Sequence, residues 1–183
     1  MILSHEEKRI LLTTARTSII SRFKNKDIQF PEPTELLLKE CGAFVTLHKQ
    51  GKLRGCIGYI TAVKPLYKTV REVAMSSAFS DPRFPPVTES EIPLLEIEIS
   101  VLTPLKKITS LDEIELGTHG IMIKRGFSSG LLLPQVAAEQ NWDRDTFLTH
   151  TCFKAGLPGD CWKKPDTIIE IFSAIVFNEK ETG

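Results

Sequence analysis

Apolar and polar positions repeat with two different periods along this chain, and the two periods separate helices from strands. In SHEEKRILLTTARTSIISRF, Leu11, Ala15 and Ile19 recur every four residues, the spacing of one helix face. Ser4 precedes the run and Glu7 follows it by three, the pair that makes a capping box, so the pattern predicts an opening helix. KPLYKTVREVAMSSAFS repeats the helical period, with Leu66, Val70, Val73, Ala74 and Ser77 on one face. In AFVTLHKQGKLRGCIGYI the period drops to two. Ala43, Val45 and Leu47 alternate with Phe44, Thr46 and His48, and the polar KQGK follows, which is a hairpin signal. LLEIEISVLTP places Leu95, Ile97, Ile99 and Val101 on one face and Glu96, Glu98 and Ser100 on the other.

Further along, GIMIKRGFSSGLLLP predicts a second hairpin about GFSSG, and IIEIFSAIVFNE predicts one final strand. VAAEQNW and DRDTFLTHTCFKAG predict two more helices, the second capped near Asp143 and stopped at Gly156. FPEPTELLLKECG is expected to be a proline-bounded loop and then a short helix that Gly42 ends. DPRFPPV cannot be helical, because three prolines in five residues remove donors and fix φ. This order suggests an α+β layout. Strands near residues 43, 54, 95 and 168 share one mainly antiparallel sheet, covered by the helices before residue 80. A smaller lobe, residues 107–166, is inserted into the larger, residues 1–106 plus 167–183.

Composition narrows the classes of partner. Lys+Arg and Asp+Glu are both 23 in 183 residues, so the formal net charge is zero. A nucleic-acid partner is therefore not expected, since phosphate recognition requires a clustered basic surface. No run of about 18 apolar residues marks a membrane span, and MILSHEEKRI lacks the apolar stretch of a secretory leader. Four widely spread cysteines, Cys41, Cys56, Cys152 and Cys161, do not make a disulfide scaffold. The expectation is a cytoplasmic protein with reduced thiols, Cys152 lying in the apolar stripe of its helix. No local spacing supports a metal site, no cofactor is expected, and the P-loop, GxGxxG, GxSxG and HExxH signatures are absent.

The candidate chemistry centres on LRGCIG, residues 53–58. On a regular strand Arg54 and Cys56 share a face, with Leu53 and Ile57 turned toward the core. Gly55 and Gly58 let another backbone or a ligand come close. A guanidinium beside a thiol favours the thiolate and makes it a better nucleophile. The alternative is a small inert cysteine beside a structural arginine. SDPRF offers Asp81 and Arg83 on a stiff turn, either as polar groups at a site or as a turn cap and an ion pair. Glu98 can meet Arg54 or Arg83 if their strands are neighbours. His119 opens the second hairpin as a candidate acid/base group, and Gln135 at a helix start can bind a polar substrate group or cap the backbone.

FVTL, LRGCIG, DPRFPPV, IEISVLTP, HGIMI, GLLLPQVA and CFKAGL occur in this order, and together they resemble the AMMECR domain family, called AmmeMemoRadiSam system protein A in microbes. The resemblance runs from about residue 5 to about residue 178, with LRGCIG as the family hallmark. It implies a single α+β domain of two lobes. The larger has a five-stranded antiparallel sheet, the smaller a three-stranded sheet and short helices, and the hallmark faces a cleft between them. It implies no established activity, and it associates the chain with Memo-like and radical-SAM proteins. Two readings follow. In one, Cys56 is a thiolate nucleophile with Arg54 as its cation and His119 as the proton-transfer group, while Gly55, Gly58, Asp81, Arg83, Glu98 and Gln135 line the substrate site. In the other, the same residues bind a peptide or protein partner without turnover.

Overall fold

The computed structural model of the protein describes residues 2–24 and 28–182. Helix α1 (His5–Ser21) begins at the expected capping box: the Ser4 side chain accepts from the Glu7 N–H, and the Glu7 carboxylate accepts from the Ser4 N–H at 2.8 Å. These bonds satisfy donors that a helix start otherwise leaves orphaned. Strands β1 (Ala43–Lys49) and β2 (Lys52–Tyr59) form the first hairpin, closed by Gln50 and Gly51, both at positive φ. That is the backbone of a two-residue type I′ turn, whose twist matches paired strands. Helix α2 (Leu66–Phe79) follows, and a 3₁₀ turn over Glu89–Leu94 leads into β3 (Leu95–Leu102).

The chain then forms β4 (Lys106–Lys107), β5 (Gly120–Arg125), β6 (Ser128–Leu132), α3 (Pro134–Glu139), α4 (Arg144–Lys154), β7 (Ile168–Phe172), β8 (Ala174–Asn178) and α5 (Glu179–Thr182). Among the described residues there are two four-stranded sheets, ordered β2-β1-β3-β8 and β4-β7-β5-β6. The α+β class with antiparallel sheets stands. The strands divide four and four, where the resemblance implied five and three, because the two-residue β4 pairs with β7 and extends the second sheet.

The chain divides into two compact units, one of residues up to Leu102 and from Ile175 onward, the other Thr103–Ala174. In the first, Ala43, Val45, Leu47, Ile97, Ile99 and Val101 fill one face of the sheet and pack with Leu11, Ala15 and Ile19 of α1 and with Val70, Val73 and Ala74 of α2. Burying each such aliphatic chain is worth about 1.5–3 kcal/mol. Arg16 of α1 ties the end of the chain into this unit, donating to both Glu179 carboxylate oxygens and to the carbonyls of Ile92 and Leu95. In the second unit, Ile121, Ile123, Ile169 and Ile171 pack with Phe147, Leu148 and Cys152 of α4.

Three expectations are corrected. The final strand is two strands in two sheets, with β7 beside β5 and β8 beside β3. At the break, both backbone groups of Ser173 are taken by Thr103: its N–H donates to Thr103 Oγ1 and its carbonyl accepts the Thr103 N–H, each at 2.8 Å. Residues 168–172 thus belong with the second core rather than with the first sheet. The short helix before Gly42 is a set of turns. Carbonyls that a helix would use internally, those of Leu37 and Lys39, instead accept the Tyr67 and Leu66 N–H groups at the start of α2. Finally, the thiols are not all reduced. Cys152 and Cys161 form a disulfide with Cα atoms 5.9 Å apart, Gly156 turning the chain back after α4 at φ 71°.

Candidate functional site around Cys56

LRGCIG lies on β2, at the edge of the first sheet, and its register is interrupted. Leu47 pairs with Gly55 while the next residue, His48, pairs with Leu53, so Arg54 is the extra residue of a β-bulge. A bulge resets the alternation of faces, which is why Leu53, expected in the core, is exposed. Beyond the bulge the strand is regular. Cys56 is opposite Thr46, and Thr46 is opposite Glu98 on β3, so Cys56, Thr46 and Glu98 form one row across three strands. The row lies on the sheet face opposite Val45 and Leu47, away from the α1 and α2 packing. β1 lies between β2 and β3, so Glu98 and Arg54 are not on neighbouring strands.

Two glycines shape the strand by close approach. A Cβ on Gly55 would stand 2.1 Å from the Ser77 carbonyl oxygen of α2, so the helix backbone packs directly on β2 there. A Cβ on Gly58 would stand 2.3 Å from the Phe44 ring on β1. Ser77 also ties helix to hairpin: its hydroxyl accepts the Ile57 N–H at 2.8 Å and donates to the Val45 carbonyl at 2.7 Å.

Around Cys56, the polar groups come from the turn after α2. Asp81 is buried and its Oδ2 accepts the Cys56 N–H at 2.9 Å. Arg83 donates Nε and Nη2 to the two Asp81 oxygens at 3.0 and 2.7 Å, and Nη2 also donates to the Cys56 carbonyl at 3.1 Å. The edge N–H and C=O of Cys56 are therefore both occupied, which blunts the edge at that residue. The Arg83 side-chain bonds, ahead of the two backbone N–H bonds, hold the Asp81 carboxyl well below the usual carboxylate range. Asp81 in turn favours the charged Arg83, with a further contribution from the Cys56 sulfur beside it. The thiol is half-buried and 3.2 Å from Thr46 Oγ1, a distance at which either atom can donate.

Arg54 is differently engaged. Its Nε and Nη2 reach the two Glu91 oxygens at 3.0 and 3.1 Å, and Lys49 joins Glu91 at 2.9 Å. Arg54 first and Lys49 second hold the Glu91 carboxyl well below the usual range. Arg54 Nη1 is buried without a hydrogen-bond partner. His119 and Gln135 belong to the second unit. The His119 Nδ1 accepts the Glu115 N–H at 3.1 Å within a local turn. Gln135 lies in the first turn of α3, where its Oε1 is buried and unpartnered.

Sequence reasoning missed Thr46 and Glu91. Thr46 was legible, since the hairpin register sets it opposite Cys56. Glu91 was not, because 37 residues separate it from Arg54. Among the described residues no group of three or more His, Cys, Asp or Glu is placed to hold a metal ion, and no helix is long and apolar enough to cross a membrane.

Fold and site together define an α+β protein of two antiparallel-sheet units, with a half-buried thiol and an anchored guanidinium at a strand edge. The sequence profile of the AMMECR1 family matches residues 12–177, and the chain belongs to that family. It is 46% identical over 189 aligned residues to Protein MK0488 of Methanopyrus kandleri, covering 98% of this chain and 91% of that one. It is 41% identical over 177 residues to Protein NEQ441 of Nanoarchaeum equitans, covering 92% and 98%. The crystal structure of uncharacterized protein PH0010 from Pyrococcus horikoshii superposes with a TM-score of 0.90 at 40% identity, covering 97% of this chain and 94% of that one.

Proposed function

We propose that Cys56 is the reacting or ligand-contacting group of a site on the first unit, with Arg83 as the cation that receives an anionic or carbonyl oxygen. The observation that carries this reading is the state of Arg83. Two of its nitrogens are committed to Asp81 and the Cys56 carbonyl, yet more than half of its side chain remains exposed beside the thiol. A guanidinium fixed in this way is oriented before a ligand arrives, which lowers the ordering cost of binding.

In the covalent form of the reading, the Cys56 sulfur attacks an electron-poor carbonyl carbon. A C–S bond forms, the C=O π pair moves onto oxygen, and that oxygen takes up the proton the thiol released. Arg83 stabilises the developing oxyanion. Thr46 Oγ1, beside the sulfur and next in the row to Glu98, carries the departing proton.

A pair of alkylating agents tests this. Iodoacetate and iodoacetamide differ in charge but not in the carbon attacked. The expected result is a higher iodoacetate-to-iodoacetamide rate ratio at Cys56 than in a free thiol peptide, collapsing in Arg83→Ala. An unchanged ratio in Arg83→Ala would overturn the role of Arg83.

A binding module without turnover is the second reading, favoured by the exposed Leu53 beside the bulge. A Memo-like or radical-SAM partner would then dock on β2, Cys56→Ser would be mild, and Leu53→Asp would abolish capture.

A further inference from the structure

The outward face of α2 carries a second feature, separate from Cys56. A depression of about 470 Å³ is lined by Tyr67, Lys68, Arg71, Glu72, Met75 and Ser76, within the size range of small-molecule sites. Its one carboxylate is already neutralised. Glu72 accepts from Lys64 Nζ at 2.5 Å and from the Tyr59 hydroxyl at 2.8 Å, and Lys64 first and Tyr59 second hold it below the usual carboxylate range.

The two cations of the depression lie near aromatic rings rather than carboxylates, Lys68 Nζ being 5.9 Å from the Tyr67 ring centroid. Lys68 and Arg71 are exposed, and neither forms a hydrogen bond or ion pair among the described residues. Arg71 is nevertheless held in place, since its guanidinium lies over the Phe30 ring with Cζ 4.0 Å from the centroid. Contact with a ring face restrains a guanidinium without consuming its N–H donors. The result is a positioned fork of donors, a second cation three residues before it on the same helix, and half-buried Tyr67 and Met75 alongside.

We propose that this depression binds a small organic phosphomonoester. Its dianionic phosphate is matched in charge by Arg71 and Lys68, the fork of Arg71 takes two phosphate oxygens, and the organic body lies against Tyr67 and Met75.

Titration calorimetry of the full chain with phenyl phosphate, and separately with inorganic phosphate, tests it. Phenyl phosphate is expected to saturate one site and to bind more tightly than inorganic phosphate, which lacks the organic body. Arg71→Ala weakens binding by about tenfold or more, the scale of a charge-assisted bidentate contact. Phe30→Ala, which removes no charge and no donor, also weakens it by freeing Arg71. The far-UV circular dichroism of both variants matches the parent. Absence of saturable binding, equal affinity for the two probes, or undiminished binding in Arg71→Ala would each overturn the proposal.

Discussion

Arg54 with Glu91 and Arg83 with Asp81 are both two-pronged arginine–carboxylate pairs against the same strand, two residues from Cys56 or in contact with it, yet they differ in which partner meets solvent. In the first pair both side chains are nearly enclosed, 12% and 14% exposed. In the second the carboxylate is 2% exposed and the arginine 54%. A pair buried at both ends keeps its donors away from solvent and must stay intact, because an unpaired buried charge is expensive. A pair buried only at its acid fixes the arginine's position while leaving charge at the surface. The bulge makes the difference: it puts Arg54 against Glu91 and leaves the regular strand beyond it, where Cys56 meets Arg83.

The largest effect that this contrast predicts is on stability. Glu91→Ala strands Arg54, whose Nη1 already lacks a partner, and should cost about 3 kcal/mol, the lower end for breaking a buried pair. Asp81→Ala should cost less, about 1–2 kcal/mol, mainly from the half-buried Cys56 N–H left without its acceptor, since Arg83 can turn to water. Urea unfolding of both variants checks the order, and a larger loss in Asp81→Ala would break the contrast. Gly55→Ala should cost about 1–3 kcal/mol by overpacking against the Ser77 carbonyl, and denaturant midpoints measure it.

Acid sharpens the same comparison. Glu91 and Asp81 both sit below their ordinary values, 4.5 and 3.8. A carboxyl depressed in the folded state contributes stability above its ordinary value and loses it as pH falls through the folded value. Stability should therefore decline below about pH 4.5, and Glu91→Gln should flatten that decline at the cost of lower stability near neutrality. A decline as steep in Glu91→Gln as in the parent would contradict the assignment. Arg83→Ala is expected to cost about 1–3 kcal/mol, because the buried Asp81 carboxylate loses its cation but keeps the N–H groups of Cys56 and residue 83, against a larger loss for Arg54→Ala, which opens a pair enclosed at both ends.

The sequence carried much of this fold. Alternation in AFVTLHK and LLEIEISV placed the correct residues in the core, and the Ser4–Glu7 box started α1 where expected. What escaped was non-local. IIEIFSAIVF is apolar almost without interruption, and the pairing of Ser173 with Thr103 marks the point where its halves part to different cores. The Cys152–Cys161 bond depends on a turn at Gly156 that spacing alone does not assign to a bridge. At the site, strand periodicity correctly paired Cys56 with a polar face. It drew attention to Arg54 because a bulge has no signature in LRGCIG, whereas Arg83, which bonds the Cys56 carbonyl, comes from a proline-stiffened turn 27 residues on.

Labelling of the folded protein with iodoacetamide, followed by peptide mass spectrometry, tests the central claim most directly. Cys41 is the internal comparison: it is buried, donates to the Leu102 carbonyl, and burial pushes its thiol up. The account predicts that Cys56 is modified in the native state while Cys41 is not, and that Arg83→Ala slows Cys56 more than Arg54→Ala does once both are compared under folded conditions. Modification of Cys56 only on unfolding, together with Cys41, would contradict it and leave LRGCIG as a piece of strand packing.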